Sequence, residues 1–281
     1  MPIDPAALLR FPIPEVRQAL TPRDCAFYAL SVGLGQDPTD EAQLRYVDAN
    51  RPLCALPTMA VVLAQPGFWL ADPRTGVDAV RLVHGEQFIE LHEPLPTSGA
   101  IVGRTRVAGL VDRGAGRPAL LYVEKRLSCD GRLIATCRAT VVLRGDGGFG
   151  GPSSPIHPVP PAPTGTPDLV VDLPTRPEQA LIYRLNGDDN PLHSDPAVAA
   201  QAGFPRPILH GLCTLGIVGH ALLRGLAGYE AGRIRSLALR FSAPVFPGET
   251  IRTEMWRTGA FRARVLERDA LVVNNGYAAL Q

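Results

Sequence analysis

The sequence predicts an α+β protein built from one duplicated unit, a run of antiparallel strands with a helix ahead of it. Three observations carry this. A shift of 150 residues brings the two halves into partial register: Phe88-Ile89-Glu90-Leu91-His92-Glu93-Pro94-Leu95 falls over Ala238-Leu239-Arg240-Phe241-Ser242-Ala243-Pro244-Val245. Both segments alternate apolar and polar as half-buried strands do. A Gly- and Pro-rich stretch then separates the halves.

In the first half a helix is expected at about Pro22 to Gly33, where Cys25, Tyr28, Ala29 and Val32 recur at helical spacing and Asp24 lies in the first turn. The strand run follows, resuming at Ile101 after Gly99 and continuing through Ala119 to Arg126 and Leu133 to Leu143. From Gly145 to Thr166 the chain can form neither helix nor core strand, and its Pro-rich part should be extended. The second half opens with a strand-like run, Ala180 to Tyr183, and an Ala-rich helix from Asp195 to Ala202. A second helix, from Gly211 to about Leu226, carries Leu212, Leu215, Ile217, Val218, Ala221 and Leu222 on almost every side, which argues that it is buried. Strands corresponding to those of the first half resume at Ile251 and run through Phe261 to Glu267 and Ala270 to Leu280. The expected organisation is an amino-terminal domain over 1–148, a linker over 149–167 and a carboxy-terminal domain over 168–281. This is duplication, not a short-period solenoid.

Composition narrows the function. At 281 residues the chain has room for two domains of about 130 residues. A net charge of +1 gives no reason to expect nucleic acid or an anionic membrane as a partner. No apolar run approaches the roughly 20 residues that span a bilayer, and the start M-P-I-D-P lacks the pattern of a secretory signal. Five scattered cysteines without C-x-x-C fit reduced thiols in a cytoplasmic setting. The six histidines follow no zinc spacing, so no metal is expected.

The run Tyr183 to His193 reads Y-R-L-N-G-D-D-N-P-L-H. Asp188 and His193 lie five apart, which suits a folded loop better than one helix face. Asn190 and Pro191 between them favour a turn. As plain turn chemistry the run is structural. As an acid and an imidazole aimed at one point it can hold and activate a water.

Gly187 to His193 matches the G-D-x-N-P-[LIV]-H pattern without a gap, and Pro207-Ile208-Leu209-His210-Gly211-Leu212-Cys213 follows it. On these residues the chain resembles the MaoC-like, hydratase 2 family of (R)-specific enoyl-CoA hydratases. Leu56-Pro57-Thr58, His84-Gly85-Glu86-Gln87 and Arg144 to Gly151 resemble the amino half of its two-domain members. The resemblance implies a double hot-dog fold, two sheets each wrapping a helix and arranged as a pseudo-dimer, with a further homodimer open.

It also implies an activity: hydration of a trans-2-enoyl-CoA to a (3R)-3-hydroxyacyl-CoA, with Asp188 and His193 sharing one water and Asn190 holding the loop. Asp189 occupies the variable position of the pattern. The Gly211 N–H, at a helix start, would accept charge from the thioester oxygen, its alternative role being a plain helix cap. His210 would orient the loop or contact substrate. Gly187, Arg184 and Arg206 are further candidates for binding substrate, and Arg233 and Arg235 for the phosphates of CoA. Trp69, Phe68, Met59 and Leu63 would line the space for the acyl chain, because the first half lacks the active loop. His84-Gly85 mirrors His210-Gly211 in sequence and reads as structural or a relic. Cys213 reads as core, and His157 and His220 receive no role. No cofactor is required, the CoA thioester being substrate. The competing readings are a hot-dog thioesterase, a non-catalytic thioester-binding module, and a dehydratase acting on carrier-protein thioesters.

Overall fold

The computed structural model describes residues 3–157 and 159–281; Met1, Pro2 and Pro158 lie outside them. The first half contains α1 (Pro5–Leu9), β1 (Val16–Leu20), α2 (Pro22–Ser31), α3 (Glu41–Val47), β2 (Leu82–Leu91), β3 (Gly99–Asp112), β4 (Ala119–Cys129) and β5 (Arg132–Leu143). The second contains β6 (Leu169–Pro174), α4 (Gln179–Tyr183), α5 (Pro196–Gln201), α6 (Gly211–Gly225), β7 (Ile234–Phe241), β8 (Thr250–Met255), β9 (Ala260–Val265) and β10 (Ala270–Leu280). Local chemistry sets the helix starts. Asp4, Asp40 and Asp195 cap α1, α3 and α5, and Thr21 and Asp24 form a reciprocal capping box on α2.

All ten strands join one antiparallel sheet in the order β1-β3-β4-β5-β2-β7-β10-β9-β8-β6. Read inward from either edge, each half has the same strand order. The halves meet where β2 pairs with β7, in the register Glu86↔Arg240, Phe88↔Ala238, Glu90↔Ser236. The 150-residue shift superposes Phe88 on Ala238, and these two residues face each other across the joint. The pseudo-two-fold axis therefore passes between them. This is the double hot dog.

The second half holds the expected wrapped helix. In α6 every residue from Cys213 to Leu223 is buried, and β8 and β9 turn alternate residues inward. The first half differs from expectation. Its early helix, α2, exists but does not fill the matching place; it follows β1 as α4 follows β6. The shift places residues 61–75 where α6 should be, and there the chain makes only short 3-10 turns, Pro57–Val61, Trp69–Ala71 and Pro73–Thr75. Pro66, Gly67 (φ 72°) and Pro73 cannot sustain a helix, and Ala64 is already left-handed at φ 45°. Instead, α2 packs on α6. A Cβ on Gly216 would collide with Val32, and one on Gly219 would lie 2.5 Å from Thr58 Cγ2.

The strand-like run Ala180 to Tyr183 is helical, within α4. Four apolar residues cannot distinguish the two conformations by pattern alone. Burial of Ala180 and Tyr183 beneath α2, with Leu181 52% exposed, selects the helix, and Gln179 Nε2 donates to Ser31 O at 2.6 Å. The described residues of the Gly/Pro stretch form no regular element and lie on both halves. Asp112 accepts from the backbone of Gly148 and Gly150, His157 packs edge-on against Tyr122, and Asn275 Nδ2 donates to Pro160 O.

Candidate active site

The loop between α4 and α5 is shaped by its own sequence. Arg184–Asn186 makes a 3-10 turn that ends at Gly187 with φ 100°, a left-handed angle that favours glycine. Asn186 Nδ2 donates to Ser31 Oγ of α2 at 2.9 Å, so the first half tethers the loop. Asn190 Oδ1 accepts from Leu192 N at 3.1 Å and caps a second turn, Pro191–His193, with proline at its first position. These two turns bring Asp188 and His193 to the wall of one cavity.

His193 is oriented from behind. Ile208 O accepts a hydrogen bond from its Nδ1 at 2.8 Å. The proton therefore sits on Nδ1 and the Nε2 lone pair is free. His210 stacks on His193 with ring centroids 3.8 Å apart and donates from Nε2 to Asp188 O at 3.2 Å. Burial, then the neighbouring His193, pushes the His210 imidazole down to about 2, so it remains neutral. Burial also lowers His193, partly offset by Ile208 O and the Asp188 carboxylate. The Asp188 carboxyl is raised, again chiefly by burial, with His193 pulling it back.

Gly211 opens α6, and its N–H has no partner among the described residues. A Cβ at 211 would rest at an ordinary 3.5 Å from the Phe241 ring, so the protein's own packing does not demand glycine there. The cavity, about 630 Å³, is lined by Gly187, Asp188, Asn190, His193 and Gly211 from the second half. It continues past His84, Gln87, Phe68 and Trp69 to Lys125 and Cys137 in the first. The unwound 61–75 segment forms part of that wall.

Several expected residues stand elsewhere. His210 is fully buried and outside the lining, so it supports the loop without facing the cavity. Arg184 pairs with the exposed Asp189 at 3.4 Å, and Arg206 packs on the Phe246 ring; neither lines the cavity. Arg233 and Arg235 are exposed and also off its wall. Met59 and Leu63 are buried in the core, whereas Phe68 and Trp69 line the space. His84-Gly85 opens no helix: it lies on β2, where a bulge sits between His84 and Glu86. His84 nevertheless faces the cavity, its ring edge-on to Phe241 and its imidazole pushed down to about 4 by burial. Cys213 is core, as its place on the apolar helix suggested. His220, without an evident partner in sequence, meets Tyr229 Oη at 3.3 Å. The carbonyl of Ile208 and the inward faces of β4 and β5 had no motif to announce them. Among the described residues no cluster of His, Cys, Asp or Glu is arranged to hold a metal, and no helix is long and apolar enough to cross a membrane.

A double hot dog with one wrapped helix, one opened half, and an acid/imidazole loop over the helix start defines a two-domain hot-dog enzyme. Residues 159–276 match the MaoC like domain and residues 19–145 the MFE-2 hydratase 2 N-terminal domain. The chain is 46% identical over 250 residues to 3-hydroxyacyl-thioester dehydratase Y of Mycobacterium tuberculosis, covering 86% of this chain and 84% of that one. It is 39% identical over 286 residues to the peroxisomal enoyl-CoA hydratase 2 of Arabidopsis thaliana, covering 95% and 92%. A crystal structure of a MaoC-like dehydratase from Phytophthora capsici superposes with TM-score 0.87 at 30% identity, covering 99% and 98% of the two chains. The chain belongs to the MaoC-like, hydratase 2 family of hydro-lyases.

Proposed function

We propose that this protein reversibly hydrates trans-2-enoyl-CoA to (3R)-3-hydroxyacyl-CoA, with Asp188 and His193 activating one water. The observation that carries the reading is the His193 tautomer. With Nδ1–H committed to Ile208 O, the imidazole presents a free lone pair to the cavity that Asp188 and Gly211 share. The water gives a proton to the dyad as its oxygen bonds to C3. The displaced electron pair moves through C2 to the thioester oxygen, which accepts the Gly211 N–H at the positive end of α6. The enolate collapses, C2 takes a proton from the dyad, and the pair returns to its starting state. Hydrogen and hydroxyl are added, and nothing is oxidised.

The reverse direction uses the same groups. It is the reading favoured by the relative named 3-hydroxyacyl-thioester dehydratase. The five free cysteines accord with a cytosolic setting, checked by fractionating cells that express the chain. An assay of enoyl-CoAs with chiral analysis of the product tests the function. Wild type should form the (R)-alcohol, and Asp188→Asn and His193→Ala should remain folded and lose nearly all turnover. Free CoA in place of hydroxyacyl-CoA would make the protein a thioesterase, and an (S)-product would end the hydratase 2 reading.

A further inference from the structure

Of the 28 basic residues in this chain 27 are arginine, and the remaining one is Lys125. It is not on the surface, being 5% exposed. It projects from the inner face of β4, opposite Cys137 of β5 and Thr105 of β3. Its Nζ donates to Val61 O at 2.8 Å and Leu63 O at 2.7 Å, two buried residues where the first-half segment leaves its 3-10 turn. An ammonium has three N–H groups, so one is left over. Among the described residues no carboxylate compensates it; its titratable neighbour is Cys137, whose thiol burial pushes up and keeps neutral. Burying a cation without a counter-ion is costly.

Lys125 also lines the cavity that holds Asp188, His193 and Gly211. From β7, whose Phe241 packs near Gly211, the sheet crosses β2 and β5 before reaching β4. Lys125 lies level with Leu237 through Cys137 and Ile89, four residues from Phe241, so three strand spacings of about 14 Å across and about 13 Å along the strands put it roughly 19 Å from the thioester end. An acyl chain running across the sheet from Gly211 thus meets the Lys125 ammonium at its far end, beyond walls of Val123, Ala139 and Val141; the other cationic residue on the wall, Arg144, is exposed just past the end of β5.

We propose that Lys125 is a specificity-determining residue that takes the carboxylate of an acyl chain bearing a terminal acid, making ω-carboxy-enoyl-CoA the preferred substrate class. The inference rests on the acyl-thioester reading of the cavity, but its test does not need turnover. Hexadecanoyl-CoA and its ω-carboxy counterpart are long enough to reach Lys125, are saturated and cannot be hydrated, and calorimetry compares them on wild type and Lys125→Met. Wild type should bind the carboxy form at least tenfold more tightly. The Met variant should lose that preference while holding the plain chain as well as before or better. A second measurement needs no mutation: amine-selective methylation of Lys125, read by mass against the α-amino group, should be blocked by the carboxy form and not by the plain one. Equal binding of the two chains by wild type, parallel weakening of both by Lys125→Met, or equal protection by both would each overturn the proposal and leave Lys125 a strut for the Val61 and Leu63 carbonyls. Crotonyl-CoA is too short to reach β4, so its hydration tests the hydratase reading separately.

Discussion

The acid limb of the pH–rate profile offers a demanding test of the Asp188–His193 pair. Burial drives the two groups toward each other from opposite sides, Asp188 upward from an ordinary 3.8 and His193 downward from an ordinary 6.5. The acid limb in kcat/KM should therefore belong to the pair as a unit, with neither group titrating at its ordinary value. Each member also supports the charged form of the other. Asp188→Asn removes the carboxylate that raises His193, so residual activity should persist to lower pH than in wild type. His193→Asn removes the charge that lowers Asp188, so its residual limb should move to higher pH. Each substitution should cost about 10²–10⁴ in rate, or about 3–5 kcal/mol of transition-state stabilisation. The assay is loss of enoyl absorbance with crotonyl-CoA across the acid range, with circular dichroism at each pH to show that the fold persists. Limbs that move the same way in both variants would refute a coupled pair.

Three further outcomes follow from the geometry. Gly211→Ala should fold normally, since the new methyl meets Phe241 at 3.5 Å, but turnover should fall by about ten- to a hundredfold, less than the 10²–10³ for losing such a donor outright; unchanged kcat would remove Gly211 from the oxyanion role. Gly219→Ala places a methyl 2.5 Å from Thr58 Cγ2 and should destabilise by about 1–3 kcal/mol, whereas adding Thr58→Ser removes that methyl and should restore or exceed wild-type stability in urea melts. The Lys125 ammonium is held down to about 8 by burial. The unfolded chain therefore binds more protons between about pH 8 and 10.5, and this group's contribution to stability rises with pH through that window. Subtracting the Lys125→Met curve from the wild-type curve should isolate the rise, and a flat difference would mean that the amine is solvated.

Most of the strand plan was legible because duplication repeated it: the 150-residue shift located both strand runs, and it also fell on the residues that pair across the joint. The Asp188–His193 loop was legible because its turns are local, with Gly187, Asn190 and Pro191 each fixing a backbone angle or a cap within the motif itself. The opened first half was harder. Its α2 carries a fair amphipathic pattern but buries that face against α6, a long-range fact that periodicity cannot contain. The breakers Pro66, Gly67 and Pro73 were visible, yet their meaning depends on knowing that residues 61–75 occupy the place of a helix. His210 was read as orienting the loop or contacting substrate, and the choice of the first depends on ring stacking and the Asp188 carbonyl; the cavity wall on β4 and β5 depends on which strand face turns inward. Neither leaves a motif.

The joint at Phe88 and Ala238 has a consequence for how the molecule can be divided. The backbone ladder between β2 and β7, together with α2 lying on α6, joins the halves without help from the covalent connection. A chain cut near Gly151 becomes two complementary polypeptides, one bringing the first-half wall of the cavity and the other the Asp188–His193 loop. Co-expressed, they should assemble one-to-one, and swapping either fragment for that of a relative would exchange cavity wall and loop as separate cassettes.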